Sequence, residues 1–349
     1  MSSTMKAIEI KDGKGAAEAL YLSESVPAPE APGTNEAIVK VSAFALNRMD
    51  IIQRKGNYPV PPGATSTLGV EFSGTVERIG PDSTTDLKVG DRVFGLAAGG
   101  AYAEYIRCST KLLLPYTEPT TQESTLTFIA AAGIPEVWFT ATQALLKIAE
   151  IHTIKERVKN VLIHAGASGV GIAALQLARS ILGPDVKLFA TVGTDAKVKF
   201  VESFAGADYG INYKKYDFVK FISDKTEGLG VDVIVDFIGQ DYFMKNITVA
   251  ARDARIVLLA TMSGSVVEHA NIGMILYKRL RIEGSTLRSR TIGYQSEIKD
   301  LFQQYGLPKL ISGEFVNPVD KVFSWNDIVQ AHKYMESNVS MGKIVCVID

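Results

Sequence analysis

The segment HAGASGVGIAALQLA places small residues where a phosphate group could be bound. Gly166, Gly169 and Gly171 follow an apolar run and open a stretch with helix-like apolar spacing. Small residues allow the backbone to approach a pyrophosphate, whose charge then faces the N-terminus of the helix. Ser168 replaces the central glycine of the usual GxGxxG spacing, and we include it and Val170 in a predicted dinucleotide site. A tight structural turn is the alternative when this segment is taken alone.

The end of the next apolar run favours a 2'-phosphate over a free ribose hydroxyl. Folds that bind NAD usually place Asp or Glu there to hold the ribose, whereas this chain has Gly193 and Thr194, with Lys197 nearby. A hydroxyl, backbone N–H groups and a cation suit a phosphate. We therefore predict that NADPH is preferred to NADH. Asp195 weakens that preference if its carboxylate points toward the cofactor.

A third apolar run ends in an aromatic residue and two lysines. Tyr213 is predicted to contact the adenosine end of the cofactor, by stacking. Lys214 and Lys215 could neutralise a phosphate there, but a solvent-exposed lysine pair is the interpretation that we favour.

The scarcity of metal-ligating residues argues against a metal site. The chain contains two cysteines, Cys108 and Cys346, and four histidines: His152, His164, His269 and His332. Two cysteines exclude a zinc site made of four, and no two histidines have the spacing of a helical metal motif. We predict no bound metal, an inert thiol at Cys108 and a structural role for His164.

The elements that must position these residues form two patterns. The first 130 residues are rich in short β-like runs punctuated by Gly and Pro, which predicts a mostly antiparallel β domain. From residue 160 onward, apolar strand candidates alternate with helices, which predicts a doubly wound, six-stranded parallel sheet covered on both faces. The predicted fold class is α/β. We place the boundaries at 1–131 for the β domain and 132–279 for the dinucleotide-binding domain, with 280–349 supplying the sixth strand and a segment that completes the β domain.

Composition limits the classes of partner. The formal net charge is -1 and apolar residues make up 46% of the 349 residues, which is ordinary for a globular protein and gives no support for nucleic-acid binding. No stretch of about 20 apolar residues occurs, and the N-terminus lacks an apolar signal core. We therefore expect a cytoplasmic protein that contacts neither nucleic acid nor membrane.

Motifs along nearly the whole chain resemble one superfamily. ALNRMD, GNYPVPPGA, LGVEFSG, IPEVWFTA, VLIHAGASGVG, INYKK, TLRSR and GKIV occur in order. Together they resemble the medium-chain dehydrogenase/reductase superfamily, with its GroES-like catalytic domain and its Rossmann domain. They are most similar to the zinc-free quinone oxidoreductases of the zeta-crystallin type, particularly the stress-inducible animal branch.

The resemblance also bears on zinc. Zinc-dependent relatives carry Cys at the position of Asn47 and Gly-His-Glu at the positions of Gly69, Val70 and Glu71. Two of those ligand positions hold non-ligands here, so the resemblance implies a zinc-free enzyme. Glu71 is expected to serve a buried hydrogen-bond network. Without a Lewis acid to lower the pKa of an alcohol, oxidation of alcohols is disfavoured, and reduction of an electron-poor acceptor is favoured.

By resemblance, Asn47, Tyr58 and Thr140 line the nicotinamide pocket and are the catalytic candidates. Each has a structural alternative. Asn47 is a good helix N-cap before RMDIIQR, Tyr58 is a packing candidate in a proline-rich loop, and Thr140 is a candidate helix-interior residue.

The remaining cofactor candidates lie at the ends of later strands. Gly239, Thr261, Met262 and Ser263 stand where a Rossmann sheet meets its cofactor. Leu287, Arg288 and Lys343 resemble cofactor contacts of the family.

The leading interpretation is an NADPH-dependent reductase of a quinone. Reduction of a 2-alkenal or enone C=C bond is the alternative within enzymes, and a cofactor-binding protein with little catalysis is the alternative outside them. No His, Cys or carboxylate in the predicted pocket is recognisable as an obligatory acid, so we expect the reduced quinone to take its proton from water or a hydroxyl. The family resemblance also implies a homodimer.

Overall fold

The structure is a computed structural model that describes residues 3–117 and 126–349. The chain divides into two compact units, the first formed by Met1–Phe139 with Arg288–Asp349 and the second by Thr140–Leu287. Each division falls eight residues after the corresponding predicted boundary, at 131 or 279. The apolar spacing of STLTFIAAAG predicts a helix-like stretch from residue 124, and its first two residues lie outside the described residues.

The first unit is built mainly from antiparallel strands. Its strands are β1 (Thr4–Ile10), β2 (Leu20–Pro27), β3 (Glu36–Ala45), β4 (Glu71–Ile79), β5 (Arg92–Leu96), β6 (Tyr105–Ser109), β7 (Leu113–Pro115), β14 (Val319–Ser324) and β15 (Lys343–Val347). A seven-stranded sheet has the order β14-β15-β3-β4-β5-β7, with β6 beside β3. Only the β14–β15 pair in this sheet is parallel. The C-terminal segment thus completes the first unit's sheet through β15, which pairs with β3.

The first unit also contains six α-helices among the described residues. They are α1 (Arg48–Arg54), α2 (Phe128–Ala132), α3 (Pro135–Thr142), α9 (Ile292–Tyr305), α10 (Leu307–Ile311) and α11 (Ile328–Glu336), and α3 continues into the second unit. Of these helices, α2 packs against β3 and β4. The core contains Phe44, Phe72 and Tyr102, all fully buried. Phe44 and Tyr102 stack with ring centroids 4.2 Å apart. This packing involves the last residues of β3, which ends at Ala45, two residues before Asn47.

The second unit is the predicted parallel sheet. Its strands are β8 (Asn160–Ile163), β9 (Lys187–Val192), β10 (Tyr209–Asn212), β11 (Val231–Asp236), β12 (Ala250–Leu258) and β13 (Arg281–Gly284). Every neighbouring pair is parallel, in the order β10-β9-β8-β11-β12-β13. The order reverses between β8 and β11, which is the point where doubly wound sheets bind ligands. The predicted fold class is confirmed.

Helices connect these strands. They are α4 (Gly169–Leu182), α5 (Asp195–Ser203), α6 (Phe218–Lys225), α7 (Gln240–Val249) and α8 (Gly273–Lys278), and a π-helix covers Gln143–Ile148. The sequence analysis did not predict α7 or α8. No helix within 3–117 and 126–349 combines the length and the apolar character needed to cross a membrane.

The edge strand β13 bears on the predicted homodimer. It lies at the end of the sheet, and its pairing among the described strands is with β12 alone. An open edge of this kind favours pairing with another chain. We expect light scattering to give the mass of two chains at all accessible concentrations. A concentration-independent mass near the 37.8 kDa of one chain would contradict this prediction.

Candidate active site

The glycine-rich turn follows β8 and leads into α4. Ser168 occupies the N-cap position, and its side chain accepts a hydrogen bond from the N–H of Gly171 at 3.1 Å. A Cβ added at Gly171 would lie 2.5 Å from the carbonyl oxygen of Ala165, and one at Gly166 would lie 2.7 Å from the Cβ of Ala190. Only glycine therefore fits these two positions. The turn presents the N-terminus of a 14-residue helix, which suits a pyrophosphate.

The residues predicted to select the cofactor converge at the end of β9. Thr194 caps α5 by accepting the N–H of Lys197 at 3.2 Å. A Cβ built on Gly193 would lie 3.0 Å from the hydroxyl of Tyr213, so these two residues are neighbours. Gly193, Thr194, Lys197 and Tyr213 thus share one corner of the second unit.

Asp195, the residue that could oppose a phosphate, is held by other groups. Its carboxylate accepts hydrogen bonds from Asn212 at 2.7 Å and from Lys215 at 2.5 Å. The hydrogen bond from Lys215 is the main reason that the pKa of Asp195 is lowered. Lys214 and Lys215 are exposed, in line with the interpretation that we favoured, and Lys215 pairs with Asp195 at this surface.

The loops after β11 and β12 are joined to each other. The backbone N–H groups of Met262 and Ser263 donate to the carbonyls of Phe237 and Ile238, at 3.2 and 2.9 Å. Gly239 has a φ of 82°, and a Cβ there would lie 2.9 Å from the Cα of Thr261. The two loops are therefore held together by hydrogen bonds and close packing. They contain the predicted cofactor contacts Gly239, Thr261, Met262 and Ser263. Leu287, the last residue of this unit, is buried.

His164 is a structural residue, as predicted. Its ring nitrogens lie 2.9 Å from Thr191 Oγ1 and 2.8 Å from Asn246 Oδ1, and the ring is fully buried. Burial lowers the pKa of His164 to about 4, so the ring is neutral. Asn246 in turn donates to the buried carboxylate of Asp236 at 3.0 Å.

In the first unit, Asn47 lies at the centre of a buried polar cluster. It precedes α1 as the N-cap residue, and its backbone N–H donates to Asp50 at 2.7 Å. Its side-chain amide donates to Glu71 at 2.8 Å and accepts from the ammonium of Lys343 at 2.9 Å. The N-cap position of Asn47 is observed, and its side chain also belongs to the buried cluster. Its place in a nicotinamide pocket stays a prediction.

Lys343 completes this cluster, and its ammonium has a partner for each of its three N–H groups. Its ammonium lies 2.7 Å from Glu71 Oε1, and also donates to the carbonyl of Leu46 at 2.8 Å and to Asn47. An ammonium has three donors, and all three are used. Its role as a cofactor contact stays a prediction that would require one of these bonds to be given up. The predicted buried network around Glu71 is confirmed.

A chain of hydrogen bonds and close polar contacts runs from Asp50 through Tyr102 and His332 to Arg54. The hydroxyl of Tyr102 donates to Asp50 at 3.1 Å and lies 3.4 Å from His332 Nε2. On the far side of His332, the guanidinium of Arg54 lies 3.1 Å from Nδ1 and binds Glu336 at 2.7 Å. Burial and the neighbouring Arg54 lower the pKa of His332 to about 3. Burial raises the pKa of Asp50 to about 6.

Tyr58 and Arg288 lie side by side. The guanidinium carbon of Arg288 is 5.5 Å from the centroid of the Tyr58 ring. Arg288 is buried, and it donates to the carbonyl of Ala98 and the side chain of Gln53, both at 2.7 Å. Burial raises the pKa of the Tyr58 hydroxyl, so this group carries a proton.

Glu136 is a candidate that the sequence analysis missed. It stands in the first turn of α3, and its backbone N–H donates to Glu71 Oε2 at 2.9 Å. Its own Oε2 atom is buried and has no hydrogen-bond partner. Burial, reinforced by the nearby carboxylate of Glu71, raises the pKa of Glu136 to about 8. The motif IPEVWFTA contained this glutamate, but only its threonine was singled out.

Thr140 lies on the same helix, α3, where the second unit begins. It is partly exposed, whereas its neighbours Phe139 and Ala141 are fully buried. As for metals, the part of the chain that the structure describes places no three His, Cys, Asp or Glu side chains where they could hold an ion.

Two family profiles match the chain in the order of its domains. One is described as an alcohol dehydrogenase GroES-like domain and covers residues 33–118, and the other is described as a zinc-binding dehydrogenase and covers residues 169–305. Quinone oxidoreductase from Rattus norvegicus is 29% identical over 352 residues, covering 99% of this chain and 98% of that protein. A reducing polyketide synthase from Metacordyceps chlamydosporia is 39% identical over 210 residues. That match covers 59% of this chain but only 8% of the synthase.

Solved structures agree with these matches. A quinone oxidoreductase from Escherichia coli in complex with NADPH superposes with a TM-score of 0.80 at 27% identity, covering 98% of this chain and 99% of that one. The JamJ enoyl reductase, in its apo form, gives a TM-score of 0.81 at 25% identity, covering 99% and 100%. The chain belongs to the medium-chain dehydrogenase/reductase superfamily, in the zinc-free quinone oxidoreductase family. The more particular resemblance to the stress-inducible branch stays a prediction.

Proposed function

We propose that the protein is an NADPH-dependent oxidoreductase that transfers hydride to a quinone without zinc. The observation that carries the proposal is the buried cluster of Asn47, Glu71 and Lys343. At the positions where zinc-dependent relatives bind metal, this chain holds an amide and a carboxylate bridged by an ammonium. The similarity to quinone oxidoreductases over nearly the whole chain supports the acceptor class.

The residues of the second unit fit a dinucleotide. Gly166 and Gly171 allow the tight turn that leads into α4, and the N-terminus of α4 supplies a dipole that favours a pyrophosphate. We assign Ser168, Gly169 and Val170 to the same phosphate site. In the first unit, Asn47 and Tyr58 orient the nicotinamide end. The dihydronicotinamide, when bound, supplies a hydride to the acceptor.

NADPH is the cofactor that we propose, because the carboxylate of Asp195 is already paired with Lys215 and Asn212. Lys197→Ala is expected to weaken NADPH binding by roughly tenfold or more, since a hydrogen bond to a charged group contributes about 1.5–3 kcal/mol. NADH binding is expected to change little. Equal losses for the two cofactors, measured by fluorescence titration, would contradict the assignment. Lys220→Ala, on the exposed face of α6, is the matched control.

The experiment that tests the proposed function is an acceptor panel with NADPH consumption as the readout. We expect turnover with an ortho-quinone and a para-quinone to exceed turnover with an enal. The second candidate is reduction of an activated C=C bond, which the likeness to the JamJ enoyl reductase and to segments of polyketide synthases supports. Preference for the enal would favour it. Negligible turnover on all acceptors, with tight NADPH binding, would leave a cofactor-binding protein.

Tyr58 serves orientation in this proposal. Tyr58→Phe removes the hydroxyl but keeps the ring beside Arg288. We expect turnover to fall by less than about tenfold, below the 100- to 10,000-fold that general acid catalysis typically contributes. A fall of roughly 100-fold or more with unchanged NADPH affinity would make Tyr58 the acid instead.

A further inference from the structure

We propose that Glu136 is the proton donor of the reaction and delivers its carboxyl proton to the acceptor as the hydride arrives. The proposal rests on the oxidoreductase function proposed above. It replaces the expectation from the sequence that the proton comes from water or a hydroxyl.

The hydrogen-bond donors near Glu136 are already used by other groups. Both oxygens of the neighbouring Glu71 are in use: Oε1 binds Asn47 and Lys343, and Oε2 binds the N–H of Glu136. The three N–H donors of the Lys343 ammonium bind Leu46, Asn47 and Glu71. The nearest ammonium therefore has no donor left for the carboxyl of Glu136.

The charges around Glu136 favour the neutral form of its carboxyl group. Five ionisable groups act on Glu136 or its neighbours: Asp50, Tyr58, Glu71, Arg288 and Lys343. Three carboxyl groups thus share two cations. Glu71 is the carboxyl that the ammonium of Lys343 holds, and Asp50 accepts the N–H of Asn47 and the hydroxyl of Tyr102. Glu136 is left as the group that is neutral at pH 7, in line with the direction of its raised pKa.

Glu136 and two of the groups whose charges act on it have side-chain atoms without hydrogen-bond partners. Glu136 Oε2, Asp50 Oδ1 and Arg288 Nη2 are buried side-chain atoms without a hydrogen-bond partner. Asp50 and Arg288 are themselves more than nine-tenths buried. Buried polar atoms are rarely left unpaired unless a ligand or water completes them. A carbonyl-bearing acceptor supplies an oxygen that a neutral carboxyl can donate to.

The reaction needs no reactant besides the cofactor, the acceptor and the proton of Glu136. The cofactor's hydride brings two electrons to the acceptor, and the π pair of the acceptor moves onto its oxygen or its α-carbon. The O–H bond of Glu136 breaks while a new O–H bond forms on a quinone, or a new C–H bond on an enone. The carboxylate that remains lies within the field of Arg288 and regains a proton from water.

Infrared spectroscopy of the protein without cofactor tests the protonation state independently of activity. We expect a protonated-carboxyl C=O band at pH 7 that Glu136→Gln loses and Glu77→Gln keeps, because Glu77 is exposed on β4. Glu136→Asp retains a carboxyl and covers the case in which the glutamine variant fails to fold. No difference between the wild type and Glu136→Gln in this band would overturn the proposal.

Turnover then tests the chemical role. Glu136→Gln is expected to lower kcat by 100-fold or more with NADPH affinity unchanged. We also expect the wild-type kcat to fall at high pH, and Glu136→Gln to lack that fall. Glu77→Gln should behave as the wild type. Retention of kcat within about threefold in Glu136→Gln would refute the donor role. If the wild type turns over no acceptor but shows the infrared band, then the proposed function fails while the assignment of the protonated carboxyl stands.

Discussion

Lys343→Met is expected to lower the free energy of unfolding by about 3–5 kcal/mol, the range found when one partner of a buried ion pair is removed. Methionine fills a similar volume but cannot donate a hydrogen bond. The carboxylate of Glu71 would lose its cation while fully buried, and the carbonyl of Leu46 would lose a donor. Urea unfolding followed by fluorescence measures this change.

A matched control and a second-site variant separate the buried charge from the loss of a lysine. Lys333→Met removes an exposed lysine paired with Glu18 and is expected to shift the urea midpoint little. Glu71→Gln in the Lys343→Met background removes the uncompensated charge and should recover part of the stability. A Lys343→Met midpoint equal to that of Lys333→Met would show that the pair contributes nothing.

The order of elements was accessible from the sequence because the parallel sheet leaves a strong pattern. Strands buried on both faces appear as continuous apolar runs, and each predicted run from 160 to 287 contains an observed strand. The helices α7 and α8 were not predicted, since Gln240–Val249 has mixed polarity and Gly273–Lys278 has no buried residue. The apolar run ARIVLLATMSG predicts a strand from Ala254, but β12 begins at Ala250. The earlier start leaves no apolar signal because Arg252 and Asp253 are exposed.

The candidate site was only partly accessible from the sequence. The family resemblance pointed to Asn47 and Lys343, which are 296 residues apart in the sequence and in contact in the fold. The sequence does not show which N–H donors of Lys343 are free to bind a ligand, because this depends on how the chain packs in three dimensions. The same holds for Glu136, whose raised pKa depends on burial and on Glu71, 65 residues away. An isolated Pro-Glu pair is typical of any first helical turn.

Glu136 should also make the stability of the protein depend on pH. Its pKa is raised from an ordinary 4.5 to about 8 in the folded chain. Between about pH 5 and pH 8 the folded state holds a proton that the unfolded state has lost, so stability falls as pH rises across this window. The slope contributed by one such group is up to about 1.4 kcal/mol per pH unit. Below this window both states are protonated, and above it neither is.

We therefore expect the free energy of unfolding of the wild type to decrease from pH 5 to pH 8 relative to that of Glu136→Gln. Asp50 and Asp236, whose pKa values are each raised to about 6, contribute slopes at lower pH that both proteins share and that cancel in the comparison. Glu77→Gln should keep the wild-type slope, because its side chain is exposed. Urea unfolding at four pH values is sufficient. Parallel curves for the wild type and Glu136→Gln would mean that Glu136 is ionised in the folded state at neutral pH, which would remove the physical basis for its role as an acid.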